Sequence, residues 1–208
     1  MTRTADALDD GANEPIRWLL VTVSTPGPSS SLRVHVWRKL RSLGALYLQQ
    51  SVCLLPERPE TTRAINRLLD RVNGEGGDGR SLRIVLNDPG EEQAVITQFH
   101  AERSDEYHEV CGRTPAFLHE IDSERAKGRT TYAEVEESEA DLDRLRTWLG
   151  RIQARDYFDA PGGADAVATV QECADVLAAF EAEALAADAV TTQPLLQSTK
   201  RLRSVDDQ

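Results

Sequence analysis

The hydrophobic period of this chain changes once, at Asp88-Pro89-Gly90, and that change divides what the chain can fold into. Ahead of it, short β-rich apolar runs alternate with amphipathic stretches, and each switch of period falls on a Pro, Gly or Ser cluster. IRWLLVTVS (16–24) reads as a buried strand ended by Thr25-Pro26-Gly27-Pro28. Ser29 to Ser31 offer N-caps for LRVHVWRKLRSLG, in which Leu32, Val36, Leu40 and Leu43 recur at helical spacing before Gly44 stops the helix. ALYLQ and VCLLP form two short strands joined at Gln50-Ser51 and ending at Pro56. Pro59-Glu60-Thr61 opens a second helix with Ile65, Leu68, Leu69 and Val72 on one face, GEGGDG breaks it, and SLRIVLN (81–87) is a last strand. The order βαββαβ predicts a ferredoxin-like module.

Past residue 88 the pattern is helical. A helix is predicted over 91–111, with Pro115 breaking or kinking it before AFLHEIDSERAKG. A long helix follows from Glu134 to Phe158, striped by Leu142, Leu145, Trp148, Leu149 and Ile152. Another runs from Asp165 to about Ala187, with Val170, Cys173, Leu177 and Phe180 inward. The expectation is an α+β chain: a disordered N-terminus over 1–15, a ferredoxin-like α/β module over 16–88, a mostly helical part packed on it over 89–190, and a disordered tail over 191–208.

Charge follows the same boundary. The 208 residues carry 24 Lys/Arg against 35 Asp/Glu, a net charge of -11, yet residues 1–87 hold twelve basic and nine acidic groups and residues 88–208 twelve and twenty-six. The overall acidity hides a basic module, which either meets a polyanion or neutralises the acidic part. No apolar run approaches the roughly 18 residues of a membrane span. The polar start MTRTADALDDGANEP has no signal-peptide core, so a cytoplasmic location is expected. Cys53, Cys111 and Cys173 lie far apart without a CxxC, which suits reduced structural thiols.

WLLVTVSTPGPSSSLRVHVWRKLRSLGALYLQQSVCLLPERPE resembles the N-terminal domain family of the bacterial chromate resistance protein ChrB, in which a W-L-L-L strand precedes a P-S-x-x-R-V-x-V-W-R-x-L-x-x-L-G-A helix and an L-Q-x-x-V-x-L-L-P hairpin. Trp18, Pro28, Ser29, Arg33, Val34, Trp37, Arg38, Leu40, Gly44, Ala45, Leu48, Gln49, Val52, Leu54, Leu55 and Pro56 carry the match. Phe99, Glu102, Arg103, Glu106 and Tyr107, and the block from Glu139 to Phe158, are similar to the helical part of the same domain, so the resemblance covers about residues 16–160. It implies a cytosolic protein of a chromate-resistance operon, acting as a chromate-responsive transcriptional regulator. Full-length members continue into a second domain associated with the chromate response.

Two arginine sets are candidates. Arg33, Trp37 and Arg41 share a helix stripe beside Arg38 and Lys39, and Arg63, Arg67 and Arg71 repeat the i, i+4 spacing on the second helix. Both stripes suit DNA phosphate contacts, which need cations at intervals and no base-reading geometry. The plain alternative is a solvated arginine face, or one docked on the acidic part. Arg144, Arg151 and Arg155 share one face of the long helix and would hold a tetrahedral oxyanion such as chromate or sulfate through paired guanidinium donors. Against that stand surface pairs with Glu136, Glu137, Asp141 and Asp143.

His100, His108, Cys111 and His119 match no zinc pattern, so no metal is expected. TPGPSSS is not a P-loop, and Ser24 and Thr25 stand where a metal-dependent nuclease of this topology would need an aspartate. No catalytic residue and no cofactor is assigned, so the chain reads as no enzyme. The partners this reading allows are DNA, chromate or sulfate, and a second copy in a homodimer, with no membrane. The competing class is a protein-interaction or structural module without a small ligand.

Overall fold

The computed structural model describes residues 15–25, 27 and 31–203, with side chains through residue 188. The expected N-caps Ser29 and Ser30 lie outside the described residues. The chain divides into two compact units, Met1–Gln98 and Phe99–Gln208.

The first unit is built from β1 (Arg17–Ser24), α1 (Ser31–Ser42), β2 (Leu46–Gln49), β3 (Val52–Pro56), α2 (Pro59–Gly74) and β4 (Asp78–Val85), with the first turns of α3 (Pro89–Ala126). The sheet is antiparallel, in the order β2-β3-β1-β4. β1 is central because its residues Trp18, Leu19 and Val21 are apolar on both faces and buried there. α1 buries Leu32, Val36 and Leu40, and α2 buries Ala64, Ile65, Leu68, Leu69 and Val72. Pro59 opens α2 where its missing N–H costs nothing, and Thr61 Oγ1 ties the turn by accepting from Arg58 N at 3.0 Å and donating to the Pro56 carbonyl at 2.8 Å.

The GEGGDG segment does more than break a helix. The Asn73 side chain clamps Gly79, accepting its N–H at 2.8 Å and donating to its carbonyl at 3.3 Å. A Cβ on Gly79 would stand 2.8 Å from Leu69 Cδ2, so a larger residue there would have to push the Leu69 side chain aside. β4 therefore starts at Asp78 rather than at Ser81.

The fold class needs correction. The element order over 16–87 is the expected one, but the chain is not a clean ferredoxin-like βαββαβ start with a helical part appended. Among the described residues it is mostly helical, with five helices and a small sheet in the N-terminal unit: α3 and α5 (Gly163–Arg203), of 38 and 41 residues, outnumber the strand residues several-fold. β2 has only four residues, and its pairing with β3 shifts register between Tyr47 and Gln49. The weak Gln50-Ser51 turn explains that slip, since neither residue favours the positive φ of a tight hairpin.

The second unit packs α3, α4 (Tyr132–Gln153) and α5 around Tyr107, Val110, Ile121, Leu142, Leu149, Ile152, Val170, Cys173 and Phe180. Of the expected break or kink at Pro115, the break does not occur: α3 runs on through it. Pro115 leaves the Cys111 carbonyl without its usual amide partner, and Thr114 Oγ1 donates to that carbonyl at 2.9 Å instead. Pro115→Ala is expected to raise the urea midpoint, because it restores an amide donor and removes the ring clash at a cost otherwise near 3 kcal/mol, less about 0.4–1 kcal/mol for the looser unfolded chain. A lowered midpoint would show that α3 has adapted its packing to the proline.

α4 begins at Tyr132 because the Thr131 side chain caps it, and ends at Gln153 rather than Phe158 because Asp156 turns inward to accept the Ala160 N–H at 3.0 Å. Of the segments expected to be disordered, residues 1–14 and 204–208 lie outside the described residues, and residues 191–203 continue the backbone of α5.

Candidate functional site

α1 contains no acidic residue, and α2 contains only Glu60 and Asp70. The two helices pack side by side, and their stripes meet where Arg71 Nη1 lies 3.3 Å from His35 Nε2. The seven predicted phosphate-binding residues all fall on this pair of helices, but they are not equivalent. Arg71 is paired with Glu75 at 2.7 Å. Arg33 is held at the loop before α1, donating from Nε to Thr25 Oγ1 at 3.2 Å and from Nη2 to the Gly27 carbonyl at 2.7 Å. Arg41 stacks over the Trp37 ring at 5.4 Å. Arg38, Lys39, Arg63 and Arg67 enter no ion pair among the described residues.

Beside these cations the first unit holds a cavity of about 520 Å³ between α1 and the strands. Val23 and Cys53 form part of its floor, and Val36, Trp37 and Leu40 form the helix wall. Ser24, Thr25, Arg33, Val34, Tyr47, Gln50 and Ser51 also line it. Burial pushes the Cys53 thiol up to about 12, so the floor is neutral. Burial likewise raises the Tyr47 phenol. Neither Tyr47 nor Gln50 stands out as a site residue in the sequence. Their joint position depends on the Tyr47↔Cys53 register, which periodicity alone does not contain.

The predicted oxyanion set is divided. Arg144 and Arg151 line one cavity of about 330 Å³ with Asp143, Thr147 and Trp148, but Arg144 is ion-paired to Asp141. Arg155 lines no part of that cavity and is committed to Glu106 at 2.7 Å.

In the second unit the two family-like blocks meet. Glu106 binds Arg155 and lies 3.2 Å from Arg103 Nε, while Arg103 Nη2 donates to Glu102 at 3.1 Å. Tyr107 donates to Asp156 at 3.0 Å, His100 Nε2 lies 2.7 Å from the Phe158 carbonyl, and Phe99 packs edge-on against Tyr157 and Phe158. Burial and the Asp156 bond push the Tyr107 phenol up. Arg103 Nη1 and Arg155 Nε are buried with no hydrogen-bond partner among the described residues. Among the described residues no three His, Cys, Asp or Glu groups stand together as a metal would require. Among them, too, no helix is long and apolar enough to cross a membrane.

The chain matches the family described as Protein ChrB, N-terminal, over residues 33–191. It belongs to that family. Protein ChrB of Cupriavidus metallidurans (strain ATCC 43123 / DSM 2839 / NBRC 102507 / CH34) is 30% identical to it over 158 residues, which is 74% of this chain and 44% of that protein. The chain thus spans less than half the length of the curated relative. No solved structure matches it.

Proposed function

We propose that this protein is a non-enzymatic cytoplasmic component of a chromate response that binds nucleic-acid phosphates through α1 and α2. The observation that carries this reading is the set of four cations, Arg38, Lys39, Arg63 and Arg67, without carboxylate partners among the described residues, on two adjoining helices of a chain whose net charge is -11. A chain with so many carboxylates has no shortage of partners, so four cations on one face that enter no ion pair among the described residues are a distinct feature of its charge layout. Membership of the ChrB family supports the link to chromate. The oxyanion reading has less support, because Arg144 and Arg155 are each engaged by a carboxylate.

The test is salt dependence. Replacing Arg38, Arg63 and Arg67 together by Ala is expected to weaken binding to DNA of every sequence and to shallow the slope of log K against log salt by about 0.9 for each phosphate no longer neutralised. An unchanged slope removes these residues from the interface.

A further inference from the structure

We propose that the cavity between α1 and the strands receives an unstacked base of a single-stranded nucleic acid, with Trp37 and Tyr47 as its stacking surfaces. The inference rests on the phosphate-binding reading and names the kind of strand it serves. Trp37 is 48% exposed and Tyr47 37% exposed, yet both rings line one cavity of about 520 Å³. Open rings facing a cavity of that size, within the roughly 300–1,000 Å³ range of ligand sites, are available to a planar guest. Gln50 and Ser51 at the rim supply an amide and a hydroxyl, each able to donate and accept as a base edge requires.

The surroundings select the guest. The Arg41 guanidinium sits 5.4 Å from the Trp37 ring, and Arg38 and Lys39 follow Trp37 on the same helix with no ion pair among the described residues. A nucleobase brings its own phosphates to that neighbourhood, whereas a neutral aromatic ligand would leave the cations unanswered. A base in a duplex is stacked on both faces and cannot enter. Arg33, which also lines the cavity, is tied to Thr25 and Gly27 and fixes the loop at its edge rather than serving as a free anion hook.

The experiment measures binding of the full chain to four probes: oligothymidylate and oligouridylate of about 12 nucleotides, a duplex of equal length, and inorganic polyphosphate, which has charge but no bases. The single strands should bind more tightly than the duplex. Trp37→Ala should weaken them by about 5- to 150-fold while changing polyphosphate affinity by less than about twofold, and Trp37→Phe should retain most of the affinity. A preference for one sugar assigns the strand as DNA or RNA and keeps the base site. Trp37→Ala acting equally on polyphosphate and oligothymidylate, or on neither, overturns the base site and leaves the phosphate surface standing. No binding of any probe to the unaltered chain overturns both. Far-UV circular dichroism of each variant shows that a loss is not unfolding.

Discussion

Arg103→Ala is expected to lower the unfolding free energy of the protein by about 1–3 kcal/mol, the cost of removing one partner from hydrogen bonds to charged groups that keep some access to water. The Arg103 side chain is only 6% exposed and stands between Glu102 and Glu106. Its removal leaves Glu106, itself 23% exposed, with Arg155 as its cationic partner among the described residues. Arg103→Met should cost less, because the chain stem is kept and the partnerless Nη1 donor disappears with the charge. In a double-mutant cycle with Glu106→Gln, urea unfolding should show a coupling of about 0.5–3 kcal/mol, as for residues in one network. A loss below about 1 kcal/mol for Arg103→Ala, or additive effects, would mean that the cluster is solvated and contributes little.

That cluster also shows where reading the sequence ends. Helical spacing placed Leu32, Val36 and Leu40, then Ile65, Leu68 and Val72, then Val170, Cys173 and Phe180 on inward faces, and these residues are buried. Such stripes are local, since a side chain's face follows from its own helix. Glu106 and Arg155 meet across 49 residues, and so do Tyr107 and Asp156, so spacing says nothing of either pair. The grouping of Arg155 with Arg144 and Arg151 follows from helix period alone, which does not foresee that α4 ends at Gln153 and sends Arg155 elsewhere. Pro115 reads as a break or kink because the compensating hydroxyl belongs to its neighbour Thr114, a residue with no helical preference of its own. The label ferredoxin-like weighs the strand-rich opening too heavily, since the helices after residue 88 carry most of the ordered length. The basic helices are legible, because charge on an exposed stripe needs no tertiary knowledge. The cavity beside them is not, because it exists only once β2 pairs with β3 and sets Tyr47 beside α1.

Trp18→Ala should destabilise the protein by about 3–5 kcal/mol, as for other large aromatic residues deleted from a core. Trp18 is completely buried near the start of the central strand, paired with Pro56 on one side and Ile84 on the other. A cavity there faces two flanking strands that are fixed by their own ladders, so collapse around it is restricted and the upper part of the range is expected. The indole also donates from Nε1 to Glu92 Oε1 at 3.2 Å, which ties the strand to the first turn of α3. Trp18→Phe separates the two contributions: it keeps most of the apolar volume and loses the donor, so it should cost about 1–2 kcal/mol, including the bond to a charged acceptor. Unfolding followed by far-UV circular dichroism checks both variants without relying on the removed chromophore. If Trp18→Phe costs as much as Trp18→Ala, the bond to Glu92 rather than the packing of β1 holds this corner of the sheet. If Trp18→Ala costs less than about 1 kcal/mol, the sheet is loose enough to close over the missing ring, and its role as the rigid frame for α1 and the cavity fails.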